Sequence, residues 1–335
     1  MKSKKILIPG GCGFIGTKLN DILREYEILN IDNLDPLIHG EKANVNESNV
    51  RVMDWASDNG IKEAKKFNPD VIILAVSQTG TYDSQNRSQF YIDKNIKDFQ
   101  FAVSEYAKFT NLEKVILLSS RAVYGEGVSL VNSQIVNNIR HARDLQKGEF
   151  KFTWEKEANG EYLANSIMHT ANPVSVYGTT KLTQEFLFKN AFAFANAEIQ
   201  ILRLQNIIGP GQSLKNPYTG MLCWFAQAMA KNNPVELYEG GEIWRDFLDV
   251  RDVAYAIKLC VEEIAPTDLQ DIGSGIATKI NTITSLLREK LDSRSTVKYV
   301  NKFRLGDIRF ARSGSKTPHQ FTLKDSIYDF VDYTL

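Results

Sequence analysis

A chain of 335 residues that is 43% hydrophobic and 24% charged can bury a sizeable core, either as one large α/β unit or as two lobes. Its 40 basic and 40 acidic side chains cancel to a formal net charge of +0, so no basic surface argues for a nucleic-acid partner. The three cysteines (Cys12, Cys223, Cys260) and four histidines are dispersed, which argues against a disulfide framework or a metal site.

At the start, Met1-Lys2-Ser3-Lys4-Lys5 leads into only Ile6-Leu7-Ile8 before a proline. That run is too short for a signal-peptide core, and no later run approaches membrane-spanning length. A soluble cytoplasmic protein with no membrane partner is expected. Lys5–Ile8 reads as a strand buried on both faces. Gly10-Gly11-Cys12-Gly13-Phe14-Ile15-Gly16 follows and opens a helix to about Glu25. Gly10, Gly13 and Gly16 allow a tight turn, close approach to a pyrophosphate and close helix–strand packing, with Phe14 and Ile15 at the helix start. Glu27–Ile31 is the next strand and delivers Asp32, with Asn33 beside it. A carboxylate there, about 20 residues past the first glycine, accepts from an adenosine ribose and repels a 2′-phosphate, which favours NAD over NADP. Val50–Met53 reads as a third strand ending at Asp54 and Trp55. Asp54 is either a contact to the adenine amino group or the N-cap of the next helix.

Val71–Ala75 is a fourth buried strand that brings Leu74, Ala75 and Val76 toward the nicotinamide half of the cofactor. A long helical stretch follows, with Ile92, Ile96, Phe99, Val103 and Tyr106 at helical spacing. Asn95 lies inside that stripe and is a further cofactor-contact candidate. Val115–Leu118 is a fifth strand carrying Ser119 and Ser120 at its carboxyl end, where a parallel sheet meets its ligand. Strands alternating with helical patterns predict a Rossmann-type, doubly wound parallel α/β sheet.

The rhythm breaks over 126–172. Phe150, Phe152 and Trp154 alternate and Asn159-Gly160 is a favoured hairpin turn, so an inserted hairpin is expected, either a lid or a surface decoration. Tyr177-Gly178-Thr179-Thr180-Lys181 begins the next helix, to about Phe194. Tyr and Lys four residues apart share one helix face. A phenol titrates near 10, and a fixed ammonium beside it would stabilise the phenolate, so Tyr177 and Lys181 are candidates for proton transfer at a hydroxyl. Ile199–Leu204 is a sixth strand. A helix from Met221 to about Lys231, a strand over Trp244–Val250 and a helix from Val253 to about Ile264 follow. Residues 1–205 are assigned to the dinucleotide domain and 206–335 mainly to a smaller, interleaved substrate lobe, with 246–270 returning to the first domain. Arg245 and Arg304 suit a diphosphate, since guanidinium contacts phosphate in bidentate fashion.

Gly10-x-x-Gly13-x-x-Gly16, Ser120, Tyr177-x-x-x-Lys181, Arg203-x-x-Asn206-x-x-Gly209-Pro210 and Arg245-Asp246-Phe247 occur in one order. In that order they resemble the nucleotide-sugar branch of the extended short-chain dehydrogenase/reductase family. The Asn33–Gly40, Ser119–Gly127 and Gly211–Gly220 stretches are similar to its dTDP-L-rhamnose 4-epimerase group. The resemblance implies an NAD-dependent 4-epimerase of a dTDP-linked 6-deoxyhexose, with Ser120 orienting the sugar hydroxyl and Tyr177 as acid and base. Lys181 would bind the nicotinamide ribose and tune Tyr177. Asn206, Gln212, Asn216, Arg245, Arg304 and Asp307 would hold the substrate. Homodimers would form through helices over 175–194 and 84–109. Arg121 and Ala122 stand where the family's dehydratases and decarboxylases carry an acid, so hydride transfer at one carbon is the expected reaction. A 4-keto-sugar reductase, a UDP-hexose 4-epimerase and a dinucleotide sensor are the alternatives; Ser120, Tyr177 and Lys181 are all present, which disfavours the sensor.

Overall fold

The computed structural model describes residues 3–39, 49–214, 220–263 and 268–335. The first half alternates strand and helix. β1 (Lys5–Pro9), α1 (Phe14–Ile22), β2 (Glu27–Asp32), α2 (Pro36–His39), β3 (Val50–Val52), α3 (Asp58–Phe67) and β4 (Val71–Leu74) follow one another. All four residues of β4 and Ile6, Leu7 and Ile8 of β1 are fully buried, as strands covered by helices on both faces must be.

The single long helix expected over 84–109 is instead four pieces. α4 (Thr81–Asn86) and α5 (Ser88–Ile92) are separated by Arg87, which leaves helical geometry at φ −122° and ψ 37°. A π-helical turn (Asp93–Asp98) then leads into α6 (Phe99–Tyr106). A π turn adds a residue to the helical repeat and rotates the next helical segment about its axis. Phe99, Val103 and Tyr106 therefore face the core while Ile92 stays exposed.

β5 (Lys114–Ser120) ends in a 3-10 turn, Arg121–Tyr124. The inserted segment holds β6 (Val128–Val131), β7 (Gln134–Asn137), α7 (Ala142–Gln146), α8 (Trp154–Glu157) and β8 (Gly160–Tyr162). Its hairpin joins β6 to β7, not the Phe150–Trp154 region to β8. Asn132 and Ser133, at φ 46° and 64°, make the turn, the left-handed pair that a two-residue hairpin requires. Gly160 starts β8 instead, which pairs antiparallel with β6. Of the aromatics that alternate in sequence, Phe152 and Trp154 gather in a cluster, with Trp154 edge-on to Tyr162 and Tyr162 stacked on Phe310.

After it come α9 (Val176–Phe192), β9 (Glu198–Leu204), β10 (Asn206–Ile208), α10 (Gly220–Ala230), β11 (Val235–Leu237), β12 (Trp244–Arg245) and β13 (Phe247–Asp249). α11 (Val250–Val261), β14 (Leu269–Ile272), β15 (Thr278–Lys279), α12 (Ile280–Leu291), β16 (Val297–Tyr299) and α13 (Leu323–Thr334) complete the chain. The strand expected over 244–250 breaks at Asp246. That fully buried carboxylate accepts from the amides of Ser274, Gly275 and Ser313, each at 2.9 Å, so the chain turns there. β12 then pairs with β15 and β13 with β10.

The central sheet has seven parallel strands in the order β14-β9-β5-β4-β1-β2-β3. The order reverses between β1 and β4, and a crevice opens there beyond the carboxyl ends of the strands. α11 packs on α1, and its Val253, Ile257 and Val261 share one core with Ile6 and Leu19. A separate core joins α10, α12 and α13. Among the described residues no helix is long and apolar enough to cross a membrane.

Beneath the crevice, Arg203 of β9 donates to both carboxylate oxygens of Glu185 of α9 at 3.0 and 2.7 Å. Ser119 of β5 donates to the same carboxylate at 2.5 Å. Replacing Arg203 with Met strands a buried charge, so Arg203→Met should cost about 3–5 kcal/mol in urea denaturation, most of it recovered in Arg203→Met/Glu185→Leu.

Candidate active site

The glycine loop shows why side chains are excluded. A Cβ on Gly10, at φ +76°, would sit 2.8 Å from the Ala75 carbonyl oxygen, and one on Gly16 would sit 2.5 Å from that of Gly11. Gly13 caps α1 without any side-chain hydrogen bond, so the first amides of the helix are left for a ligand. Asp32 closes the far side of the loop. Its carboxylate accepts from the amides of Cys12 at 3.1 Å and Leu34 at 3.0 Å, with His39 Nε2 3.4 Å away. A carboxylate has about four acceptor positions, so capacity remains for a hydroxyl.

These residues border a cavity of about 520 Å³, within the range of small-molecule sites. Phe14, Ile15, Asn33, Asp54, Trp55, Ala75 and Val76 border it too. Leu74 does not; it belongs to the core beneath the sheet. Asp54 is not the N-cap of α3. Ser57 is, accepting from Gly60 at 3.1 Å, while Asp54 accepts from Ala56 at 3.0 Å and from Lys94 at 3.2 Å.

Asn95 reaches the cavity wall from the π-helical turn, but its amide is engaged elsewhere. It accepts from the Gln78 amide at 2.8 Å and donates to the Gln78 carbonyl at 2.9 Å and Thr180 Oγ1 at 3.1 Å. It is thus a brace between the segment after β4 and the helix that carries Tyr177.

Ser120 and Tyr177 both border the cavity, near enough that Ser120 favours the Tyr177 phenolate. Ser120 Oγ also accepts from Ala122 at 3.2 Å, which fixes the 3-10 turn. That turn lies against α9 so closely that a Cβ on Gly178 would be 2.5 Å from the Ala122 carbonyl oxygen. α9 starts on two serines: Ser175 accepts from Gly178 and Ser84 from the Tyr177 amide, each at 3.0 Å. Burial holds the Tyr177 phenol above its ordinary value, against the pull of Ser120 and the Arg121 guanidinium.

Lys181 lies one turn along α9 from Tyr177. Its Nζ donates to the Leu118 carbonyl at 2.7 Å and Gln184 Oε1 at 2.6 Å, and it does not border the cavity. Burial pushes it down to about 7 although Glu185 lies near. The two residues share a helix face, as their spacing requires, and the Leu118 carbonyl and the Gln184 side chain hold the lysine ammonium in this structure.

The substrate set divides in the same way. Asn206 and Gln212 border the cavity, whereas Arg245, Arg304 and Asp307 do not. Arg245 is fully buried and donates to the Trp244 and Ile308 carbonyls and to Asp307. Arg304 lies over the rings of Tyr238 and Tyr82. Asn216 falls outside the described residues. No described residue of 127–172 borders the cavity; the insertion is fastened elsewhere. Arg140 joins Glu126 and Glu239, each at 2.6 Å, and donates to the Asp307 carbonyl at 3.1 Å.

Sequence reasoning missed three residues. Arg121 borders the cavity and donates through Nε to Asn206 at 2.9 Å. Burial, then Arg245, push it down to about 9. Gln205 also borders the cavity, and among the described residues both polar atoms of its buried amide lack a partner. Gln184 joins Lys181 to the Asn95 carbonyl. A charged residue directly after a strand-end serine was the available signal for Arg121; nothing in sequence marks the two glutamines.

A family model described as the NAD dependent epimerase/dehydratase family matches residues 6–146 and 152–272. The chain belongs to that family. Its cofactor is NAD, and the glycine cradle, the open start of α1 and Asp32 at the end of β2 fit a dinucleotide. The chain is 33% identical over 320 residues to a dTDP-L-rhamnose 4-epimerase of Burkholderia thailandensis, covering 92% of this chain and 86% of that protein. Two solved folds are similar. The UDP-glucose 4-epimerase of Thermus thermophilus, in complex with NAD, has TM-score 0.79 at 20% identity and covers 98% of each chain. That of Thermotoga maritima, with UDP-glucose, has TM-score 0.79 at 22% identity over 98% of each chain.

Asn95→Ala leaves both backbone groups of Gln78 without their partner. A loss of about 1–3 kcal/mol in urea denaturation is expected, with weaker NAD binding by fluorescence titration.

Proposed function

We propose that this member of the family is a nucleotide-sugar 4-epimerase that acts on dTDP-L-rhamnose or a related dTDP-linked 6-deoxyhexose. The observation that carries the reading is the Ser120–Tyr177 pair, set in the wall of a cavity whose other end is the dinucleotide loop. The 33% identity to a protein named dTDP-L-rhamnose 4-epimerase supports the choice of sugar nucleotide. Gly10, Gly13, Gly16 and the first amides of α1 would hold the pyrophosphate of NAD, Asp32 a ribose, and Asp54 and Trp55 the adenine end.

Bound NAD supplies a hydride acceptor that later returns the hydride. The remaining work falls to the chain. Ser120 holds the sugar 4-oxygen by a hydrogen bond. Tyr177 takes the 4-hydroxyl proton as the carbonyl forms and gives it back when the opposite face is reduced. Gln205 and Asn206 offer amides to sugar or phosphate oxygens; the unpartnered polar atoms of Gln205 favour that use. Arg121 and Ala122, in place of acids beside Ser120, favour epimerisation over elimination.

NMR of products after incubation with dTDP-L-rhamnose and no added reductant is the test. Its 4-epimer should appear without net NADH. Product formed only from the 4-keto sugar with stoichiometric NAD(P)H would establish a reductase instead, and turnover of UDP-hexoses alone would reassign the nucleotide. Tyr177→Phe should lower turnover by about 10²–10⁴-fold while NAD affinity is retained.

We also infer a homodimer. Phe101 on α6 and Phe186 on α9 are 44% and 61% exposed, large rings that solvent alone would not favour on adjacent helices. Light scattering should give a dimer at micromolar concentration, and Phe101→Glu/Phe186→Glu should give monomers.

A further inference from the structure

Among the described residues, the basic side chains that border the cavity are His39, Lys94 and Arg121. His39 faces Asp32 at 3.4 Å, and Lys94 lies between Asp54 and Asp98 at 3.2 and 2.8 Å. Both stand at the dinucleotide end and both are committed. Arg121 stands at the other end. It follows Ser120 directly, on the 3-10 turn after β5. Its Nε donates to Asn206 Oδ1 at 2.9 Å, which holds the half-buried guanidinium by one edge. Neither terminal nitrogen has a hydrogen-bond or ion-pair partner among the described residues. Glu126 and Asp307, the carboxylates whose charges act on it, are paired with Arg140 and Arg245. The chain therefore leaves the outer edge of a rigid plane, with an N–H on each of two nitrogens, to meet something else. Drying that edge without supplying oxygens would be costly, the more so because the group is charged.

Resting on the reading of Ser120 as the group that holds the sugar 4-oxygen, we propose that the free edge of Arg121 recognises the adjacent hydroxyls on carbons 2 and 3 of the sugar ring. Consecutive residues have Cα atoms about 3.8 Å apart, so the residue after Ser120 meets the ring on the side of the 4-oxygen. The 3-hydroxyl is the neighbour of that oxygen, and the 2-hydroxyl is the next. The diphosphate hangs from carbon 1, across the ring from carbon 4. Two adjacent hydroxyls present their oxygens side by side, and a planar edge with two parallel donors suits them as it suits the two oxygens of a carboxylate. Lysine, a single point of charge, would hold one of them. The substrate class is thereby narrowed to hexoses in which both hydroxyls are free, since a sugar that lacks either leaves a donor of the guanidinium unmet. Arg121 is a specificity-determining residue, and Asn206 is the group that aims it.

The test reads binding and does not need turnover. Titration calorimetry on the NAD-loaded enzyme gives affinities for dTDP-L-rhamnose, for its 2-deoxy and 3-deoxy counterparts, and for dTDP alone. In the unaltered chain each missing hydroxyl should weaken binding by about 10–100-fold. In Arg121→Met the same deletions should cost less than about threefold, because their partner is already gone. Affinity for dTDP should not change. Arg121→Lys should respond to one deletion and not to the other. With dTDP-L-rhamnose as substrate, Arg121→Met should raise KM more than it lowers kcat. Arg121→Gln serves if the Met variant does not fold. Deletion costs that persist at full size in Arg121→Met overturn the proposal. So does an equal loss of affinity for dTDP alone, which would put the guanidinium on the diphosphate. A sugar nucleotide that binds with the expected pattern but is never epimerised would instead overturn the reaction assigned above and leave the recognition of the two hydroxyls standing.

Discussion

Everything at the site hangs on a buried carboxylate. Glu185 lies one helical turn past Lys181 and receives Arg203 from β9 and Ser119 from β5 at the same time. Arg203 also lies 4.8 Å over the ring of Tyr124, whose hydroxyl donates to Asp271 of β14. Four elements, β5, α9, β9 and β14, are thereby fixed in register under the crevice. Hydrophobic packing alone is tolerant of small slides, whereas a bidentate pair is not. The relation of Tyr177 to Ser120 follows from this anchor, because one sits on α9 and the other ends β5.

The dinucleotide half was legible from sequence because each of its features has a local cause. Gly10 and Gly16 occupy places where a Cβ would strike backbone, and Asp32 ends a strand whose apolar run is unmistakable. The substrate half was less legible because its residues act across the chain. Nothing local to Lys181 reveals that the Leu118 carbonyl will capture it, and nothing local to Arg245 reveals that Asp307 and two carbonyls will enclose it. β14 was missed for a related reason: Leu-Gln-Asp-Ile has no strand-like pattern, and Asp271 is there for Tyr124. The insertion misled in the opposite direction. Its alternating aromatics look like a strand, but Phe152 and Trp154 cluster around Tyr162, which stacks on Phe310.

The insertion ties two regions distant in sequence. Arg140 holds Glu126, just after the 3-10 turn, together with Glu239 and the backbone at Asp307. Arg309 adds Tyr162 at 3.0 Å. Removing either partner of such a buried pair leaves an uncompensated charge, so the insertion is coupled to the geometry behind Arg245 and Arg121 although it does not touch the cavity.

The strand order carries a consequence for how the chain is made. β14 closes the sheet beside β9, and α11 covers α1, yet both belong to the later part of the chain. While the ribosome adds the roughly 70 residues between the end of β9 and the end of β14, β9 has an open edge and α1 an uncovered apolar face. At ordinary synthesis rates that interval is on the order of 3–15 s. An unpaired edge is a template for pairing with another chain, so the nascent protein is open to aggregation in that window. Holdase chaperones would find their substrate there, and slowing translation across 205–272 would lengthen the exposure without altering one contact of the finished fold.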